Sequence, residues 1–291
     1  PCADCELERP STRVDSSPFT VAARVADMLS GLRRLGLEVK DLDATRAFYE
    51  DRLGLQAAPG STSESHVLYD VGASASGAAV EGADADPTSL VLRRPTAQPR
   101  GGVHTHYAFA TTRAAYPRWR RRLADLDPVE FSFGSSDSLY VYDPAGHCVE
   151  IGGIHETAAA EDNTEAAAVE NDTDDVPPLT GVFEVVLEVT DLSRAEARYR
   201  RLGFEVVDRG ETRRRVRLTG PVDLELWEPQ LGIADARGGL HVDLAFTTGD
   251  AAAAVEAGAP WAVGPTDVEE GVRVVDDDGH VLTFVPPQSG E

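Results

Sequence analysis

Lysine is almost absent from this chain of 291 residues, because Lys40 is the only one and the other basic side chains are arginines. Lys+Arg 27 against Asp+Glu 50 gives a formal net charge of −23. This charge argues against nucleic acid and anionic membranes as partners. An acidic chain with so little lysine is typical of adaptation to a salt-rich cytoplasm, where ions screen the self-repulsion. We therefore expect a halophilic protein.

Long apolar runs and cysteines are also scarce. No apolar run is long enough to span a bilayer and no signal peptide is visible, so we expect a cytoplasmic protein. Cys2 and Cys5 form a C-x-x-C near the N-terminus, but a zinc site would need two more ligands close by, and none is apparent. We interpret the pair as incidental within a poorly ordered N-terminal extension, residues 1–31.

The remainder of the chain repeats one pattern four times: a strand, a helix and three further strands, β-α-β-β-β. The four modules span residues 32–97, 101–156, 179–230 and 238–288. Between the second and third modules, residues 157–178 are rich in Ala, Glu, Asp and Thr without periodicity, which predicts an acidic linker. The pattern predicts an α+β fold with two paired-module domains, 32–156 and 179–288.

Residues with metal-binding side chains are concentrated in module two. Alternation along the strand beginning near Val103 places His104, His106 and Ala108 on one face. The last strand of the module presents Cys148 and Glu150 on one face, after an Asp-Pro-Ala-Gly turn. An imidazole and a carboxylate on neighbouring strands are a plausible half-site for a divalent metal. The alternative is a surface strand with two histidines and a glutamate beside a turn.

Three short motifs resemble a known superfamily. They are Val39-Lys40-Asp41-Leu42, Thr105-His106-Tyr107-Ala108-Phe109, and Tyr140 with Asp143-Pro144-x-Gly146-x-x-x-Glu150. Together with the repeat, they resemble the vicinal oxygen chelate superfamily, which includes glyoxalase I, fosfomycin-resistance transferases, bleomycin-resistance proteins and type I extradiol dioxygenases. The resemblance covers about residues 33–286 and implies cup-shaped mixed β-sheets, each made of two modules. With the acidic composition, it suggests a haloarchaeal member.

The resemblance also implies where metal ligands would lie, namely on the first and last strands of each module. Modules two and three have ligand-type residues at those positions: His106, Glu150, Glu184 and Glu225. Modules one and four have Arg34, Val91, Asp243 and Thr283, which cannot make a comparable cage. We prefer a site shared by modules two and three, because buried unpaired glutamates would be costly. Pairing in chain order is the alternative, and exposed edge-strand positions for Glu184 and Glu225 are another.

These expectations lead to a mononuclear Fe²⁺ or Mn²⁺ enzyme, with an extradiol ring-cleaving dioxygenase as the first hypothesis. Tyr140 lies ten residues before Glu150, as the substrate-binding tyrosine does in those enzymes, and Glu225 would be a fourth ligand or a catalytic base. Two features depart from that family: the second iron-binding imidazole is replaced by Glu184, and the second-sphere histidine is missing.

Two alternatives stay open. One is a glyoxalase-like isomerase or lyase, and the other is a metal-free binding protein of the bleomycin-resistance type. The expected partner is a small oxygen-bearing substrate, either catechol-like or an α-oxo compound, and the sequence leaves room for a homo-oligomer.

Overall fold

The computed structural model describes residues 28–72, 87–95, 105–133, 136–155, 176–211, 214–229 and 242–288. These residues form an α+β fold with one sheet of eight strands and one of seven, which confirms the predicted fold class. Within them, no helix is both long enough and apolar enough to span a membrane. The Cys2–Cys5 pair, His104 and most of the predicted linker lie outside the described residues.

Module one departs from the predicted pattern in one strand. It contains β1 (Gly31–Glu38), α1 (Leu42–Ala47) with a π-helical continuation (Phe48–Arg52), β2 (His66–Val71) and β3 (Thr88–Arg93). An isolated bridge between Ala57 and Tyr69 is found in place of the additional strand that the β-α-β-β-β order requires. The fold begins before residue 32, because Leu29 is buried in the core.

The other three modules have the predicted β-α-β-β-β order. Module two consists of β4 (His106–Thr112), α2 (Tyr116–Arg122), a 3-10 turn (Ala124–Leu126), β5 (Val129–Ser132), β6 (Asp137–Tyr142) and β7 (Cys148–His155). Module three consists of β8 (Gly181–Glu188), α3 (Leu192–Arg201), β9 (Glu205–Arg209), β10 (Arg215–Thr219) and β11 (Asp223–Trp227). Module four consists of β12 (Asp243–Thr247), α4 (Ala251–Gly258), β13 (Val263–Val268), β14 (Gly271–Val275) and β15 (Val281–Val285).

The modules pair across the predicted linker. The eight-stranded sheet has the order β5-β6-β7-β4-β8-β11-β10-β9 and therefore joins modules two and three. The seven-stranded sheet, β13-β14-β15-β12-β1-β3-β2, joins modules four and one. The preferred two-with-three pairing is confirmed, and pairing in chain order within 32–156 and 179–288 is wrong for the sheets. The β4–β8 register sets Tyr107 opposite Val185, which keeps one face apolar across the junction.

Modules that follow each other in the chain contact each other in a different way. The Tyr49 hydroxyl of module one donates a hydrogen bond of 3.1 Å to Asp143 in the turn of module two. The Tyr199 hydroxyl of module three donates one of 3.3 Å to Asp276 in the corresponding turn of module four. Each of these bonds joins the two sheets, because each links a module of one sheet to a module of the other.

Each sheet has one apolar and one polar face. Alternation buries Leu139, Tyr107, Val185 and Leu224 completely on the apolar face of the eight-stranded sheet. The register places the following residues on its opposite side, called here the glutamate face: His106, Tyr140, Glu150, Glu184, Arg215, Arg217, Asp223, Glu225 and Trp227. The polar side of the seven-stranded sheet, called here the arginine face, carries Arg34, Glu38, Ser89, Arg93, Asp243, Arg273 and Thr283.

Candidate metal centre

A histidine and two glutamates meet at the centre of the glutamate face. Ala108 on β4 is the register partner of Glu150 on β7 and also of Glu184 on β8. The two carboxylates therefore flank a small methyl side chain, which leaves room for them to turn toward each other. His106 lies two residues before Ala108 and consequently on the same face.

These three side chains form a group that could hold a metal ion. His106, Glu150 and Glu184 are 2%, 4% and 6% exposed, and one ligand atom of each lies within 4.8 Å of the others. The His106 Nε2 and Glu150 Oε2 atoms are 3.1 Å apart. One imidazole nitrogen with carboxylate oxygens is a donor set suited to a divalent metal ion.

The electrostatics of the group also favour a cation. Burial, assisted by the nearby charges of Glu225 and Glu150, raises the pKa of the Glu184 carboxyl well above the ordinary glutamate value, while Arg217 opposes the rise. Two buried carboxylates near one another repel when both are ionised. A bound divalent ion would remove this cost, so the residues present fit a metal.

Tyr140, for which the resemblance implied a role in substrate binding, lies beside the group. It is the register partner of Glu150 on β6, and its hydroxyl is hydrogen-bonded to the Glu150 carboxylate. Its ring lies edge-on to the His106 ring, with the centroids 5.6 Å apart. Burial, followed by the charge of Glu150, raises the pKa of the Tyr140 hydroxyl well above its ordinary value, so the phenol stays protonated and can donate.

Glu225 is on the same face but is held by other partners. Its Oε2 accepts a hydrogen bond of 2.8 Å from the Trp227 indole, and its Oε1 lies 3.2 Å from Arg215 Nη1. Its carboxylate is not part of the three-residue group found among the described residues. A role for Glu225 as a fourth ligand or base stays a prediction.

Sequence reasoning missed the two arginines of this face. Arg215 pairs with Glu225 and Asp208, and Arg217 pairs with Glu184 and Asp223. The alternating Arg-Val-Arg-Leu of β10 was the available signal, since it places both arginines on one face. The register of β10 on β11, which brings them to the glutamates, could not be derived from that alternation.

On the arginine face, the place that corresponds to the His106, Glu150 and Glu184 group is occupied by ion pairs. The Asp243 carboxylate is 2.7 Å from Arg93 and 3.4 Å from Arg34, and Arg34 also pairs with Glu270. Arginines therefore surround Asp243 on the arginine face.

Comparison with known proteins reveals the fold. No protein-family model matches the sequence, and no curated protein matches it. A "putative dioxygenase" from Bacillus subtilis has a similar structure, with TM-score 0.63 and 15% identity, covering 91% of this chain and 87% of that one. Glyoxalase I from Zea mays is also similar, with TM-score 0.57 and 16% identity over 88% of this chain and 92% of its own. A single-residue variant of the maize enzyme gives TM-score 0.59 and 17% identity over the same shares.

Proposed function

We propose that this chain, which has the fold of the vicinal oxygen chelate superfamily, is a metal-dependent enzyme acting on a small substrate with two neighbouring oxygen atoms. The observation that carries the proposal is the buried group of His106, Glu150 and Glu184, whose ligand atoms lie within 4.8 Å of one another. Without a metal ion, the fold keeps two carboxylates close together in a poorly solvated place, with Arg217 pairing Glu184 from one side. Such an arrangement is better explained by function than by stability.

His106, Glu150 and Glu184 would hold the ion, with Fe²⁺ or Mn²⁺ as the favoured metals. When bound there, the ion would act as a Lewis acid or as an O₂-activating centre for a chelated substrate. The Tyr140 hydroxyl, which is hydrogen-bonded to Glu150 in the metal-free protein, would donate to a substrate oxygen once Glu150 turns toward the ion. Trp227 and His106 pack edge-on with centroids 5.9 Å apart, which fixes the imidazole ring from the other side.

The specific reaction we propose first is extradiol ring cleavage of a catechol-like substrate. Its support is that three protein donors form the group while Arg215 and Trp227 hold Glu225. Three-donor sites that leave coordination positions open are typical of non-haem Fe²⁺ oxygenases. In this reaction the ring bond beside the two hydroxyl-bearing carbons breaks and both atoms of O₂ enter the product, so no external reductant is needed.

A glyoxalase-like isomerase or lyase is the second candidate, and one observation favours it. A carboxylate, Glu184, stands where the oxygenase triad has a second imidazole. Burial raises the pKa of this carboxyl, so that it would be a stronger base than an ordinary glutamate. Such a group could take a proton from the carbon next to the carbonyl of an α-oxo compound and return it to the neighbouring carbon.

The test is the metal content of protein purified without oxygen in high salt, compared with Glu150→Gln and with Glu205→Gln, a control on an exposed position of the same sheet. We expect about one equivalent of Fe²⁺ or Mn²⁺ in the wild type and the control, and loss of it in Glu150→Gln. Oxygen uptake with catechols would then support ring cleavage, whereas anaerobic turnover of an α-oxo substrate would support isomerisation. If the wild type binds neither ion after reconstitution, the enzyme proposal is wrong and a metal-free binding protein replaces it.

A further inference from the structure

Arg217 links the candidate metal ligand Glu184 to a second carboxylate. Its Nη2 atom lies 3.0 Å from Glu184 Oε2 and 2.9 Å from Asp223 Oδ2. The Nε atom of the same guanidinium donates a second hydrogen bond, of 3.2 Å, to Asp223. Asp223 and Glu184 are register partners on β11 and β8, so both carboxylates are within reach of one guanidinium.

The two carboxylates differ in their access to solvent. The Glu184 side chain is 7% exposed, against 27% for Asp223 and 35% for Arg217. Arg217 is therefore anchored at the more exposed carboxylate by two donors and reaches the buried one with a single donor. Asp223 therefore accepts the hydrogen bonds of Arg217, whereas Glu184, the more buried of the two, forms an ion pair with it.

Among the described residues, Arg217 is the basic side chain that forms an ion pair with Glu184. The neighbouring Arg215 pairs with Glu225 and Asp208 instead. Arg217 thus supplies a positive charge that offsets part of the cost of burying the Glu184 carboxylate.

We propose that Arg217 is a built-in counter-ion of the metal centre, which neutralises Glu184 while the site holds no metal and withdraws onto Asp223 when an ion binds. The inference rests on the proposed metal site. A divalent ion and a guanidinium carry like charges, so their simultaneous contact with one buried carboxylate is unfavourable. Metal binding therefore competes with the Arg217–Glu184 pair, and this competition lowers the affinity for the ion while stabilising the metal-free protein.

The experiment compares Mn²⁺ affinity and thermal stability of the wild type, Arg217→Gln and Arg209→Gln at one fixed salt concentration. Arg209 is the matched control, because it lies on the adjacent strand β9 and pairs with Glu196 outside the centre. We expect Arg217→Gln to bind Mn²⁺ about tenfold more tightly, a modest change because the pair is partly exposed. Its metal-free form should melt at a lower temperature, and saturating Mn²⁺ should remove most of that difference. Arg209→Gln should match the wild type in affinity.

The outcomes separate the two proposals. If wild type and Arg217→Gln bind Mn²⁺ with equal affinity, or the variant binds it more weakly, the counter-ion inference is overturned while the metal site stands. If no form binds Mn²⁺ or Fe²⁺, the proposed function itself is wrong. Should Arg217→Gln fail to fold, Arg217→Lys, which keeps the charge but loses the fork of donors, should bind Mn²⁺ with an affinity raised by a smaller factor.

A double-mutant cycle tests whether Arg217 acts through Glu184. In a Glu184→Gln background, Arg217→Gln should have little further effect on the melting temperature of the metal-free protein. An equal loss in both backgrounds would mean that Arg217 stabilises the fold through Asp223, and would overturn the inference.

Discussion

The two polar faces place different charges on equivalent backbone positions. The register between the two first strands makes His106 equivalent to Asp243, because they pair with Val186 and Gly36 respectively. It makes Glu184 equivalent to Arg34 in the same way, because they pair with Ala108 and Ala245. By the same correspondence, Glu150 is equivalent to Thr283 and Glu225 to Val91. A face that could hold a metal and a face built of ion pairs therefore differ in side chains at matching positions of the same framework.

The difference shows how each face deals with buried charge. On the arginine face, Asp243 lies between Arg34 and Arg93, so the carboxylate meets its counter-charges within the protein. On the glutamate face, Glu150 and Glu184 converge with His106, and Arg217 reaches the group from one side. In the first arrangement the buried carboxylate is already paired with protein cations on two sides, whereas the second gains from an added cation.

The largest expected effect on Mn²⁺ affinity comes from replacing Glu184 with the residue at the equivalent position of the arginine face. Glu184→Arg introduces the residue found at the equivalent position, Arg34, and should lower Mn²⁺ affinity by about a hundredfold or more, because it replaces a ligand with a cation. Mutation of residues that only hydrogen-bond to metal ligands already costs about 10–100-fold in affinity. The fold should persist, since Glu150, Glu225 and Asp223 are nearby counter-charges. Calorimetric titration with Mn²⁺ and circular dichroism measure the two effects. Unchanged Mn²⁺ binding would contradict the assignment of Glu184 as a ligand.

The next effect concerns the stability of the arginine face. Asp243→Asn should lower the free energy of unfolding by about 2–3 kcal/mol, because Asp243 is 1% exposed and two arginines lose their shared carboxylate. The cost is reduced because Arg34 keeps Glu270 as a partner. Denaturant unfolding of this variant should be compared with Asp267→Asn, at an exposed position of module four. A loss no larger than that of the control would mean that the ion pairs contribute little.

The repeat, the fold class and the sites of most strands followed from the sequence, because alternation and cap residues are local signals. Modules two, three and four have the β-α-β-β-β order that the repeat predicted. The preference for a site shared by modules two and three also followed, because the ligand-type residues were concentrated in those modules. In module one the β-α-β-β-β order is incomplete, because an isolated bridge between Ala57 and Tyr69 replaces one strand.

What the sequence could not supply was the partner of each charged side chain. Alternation pointed to His106 and Glu150, and the superfamily resemblance implied Glu184 as well. The hydrogen bonds that Glu225 accepts from Trp227 and Arg215 depend on the register between β10 and β11. The same register decides that Arg217 reaches Glu184. Period-two alternation assigns a residue to a face, whereas a charge pair requires the alignment of two strands.

A smaller effect should distinguish Glu225 from the three central residues. Glu225→Gln should weaken Mn²⁺ binding by less than about tenfold, because the wild-type carboxylate is already bound to Arg215 and Trp227 and acts on the ion mainly through its charge. Glu150→Gln, measured in the same titration, is the reference for loss of a ligand. Equal losses in the two variants would instead make Glu225 a fourth ligand, as the position in the repeat suggested.

The smallest effect on the metal is expected for Tyr140→Phe, which removes one hydroxyl and leaves the ring in contact with His106 and Phe131. Mn²⁺ affinity should change by less than about threefold, since the hydroxyl is not among the three donors. If Tyr140 donates a hydrogen bond to substrate during turnover, kcat should fall about tenfold, the usual worth of one such bond. The arginine face has no tyrosine among its defining residues, so this substitution tests a feature of the glutamate face apart from its charge. A loss of metal with the hydroxyl would show that Tyr140 positions Glu150 for binding rather than contacting the substrate.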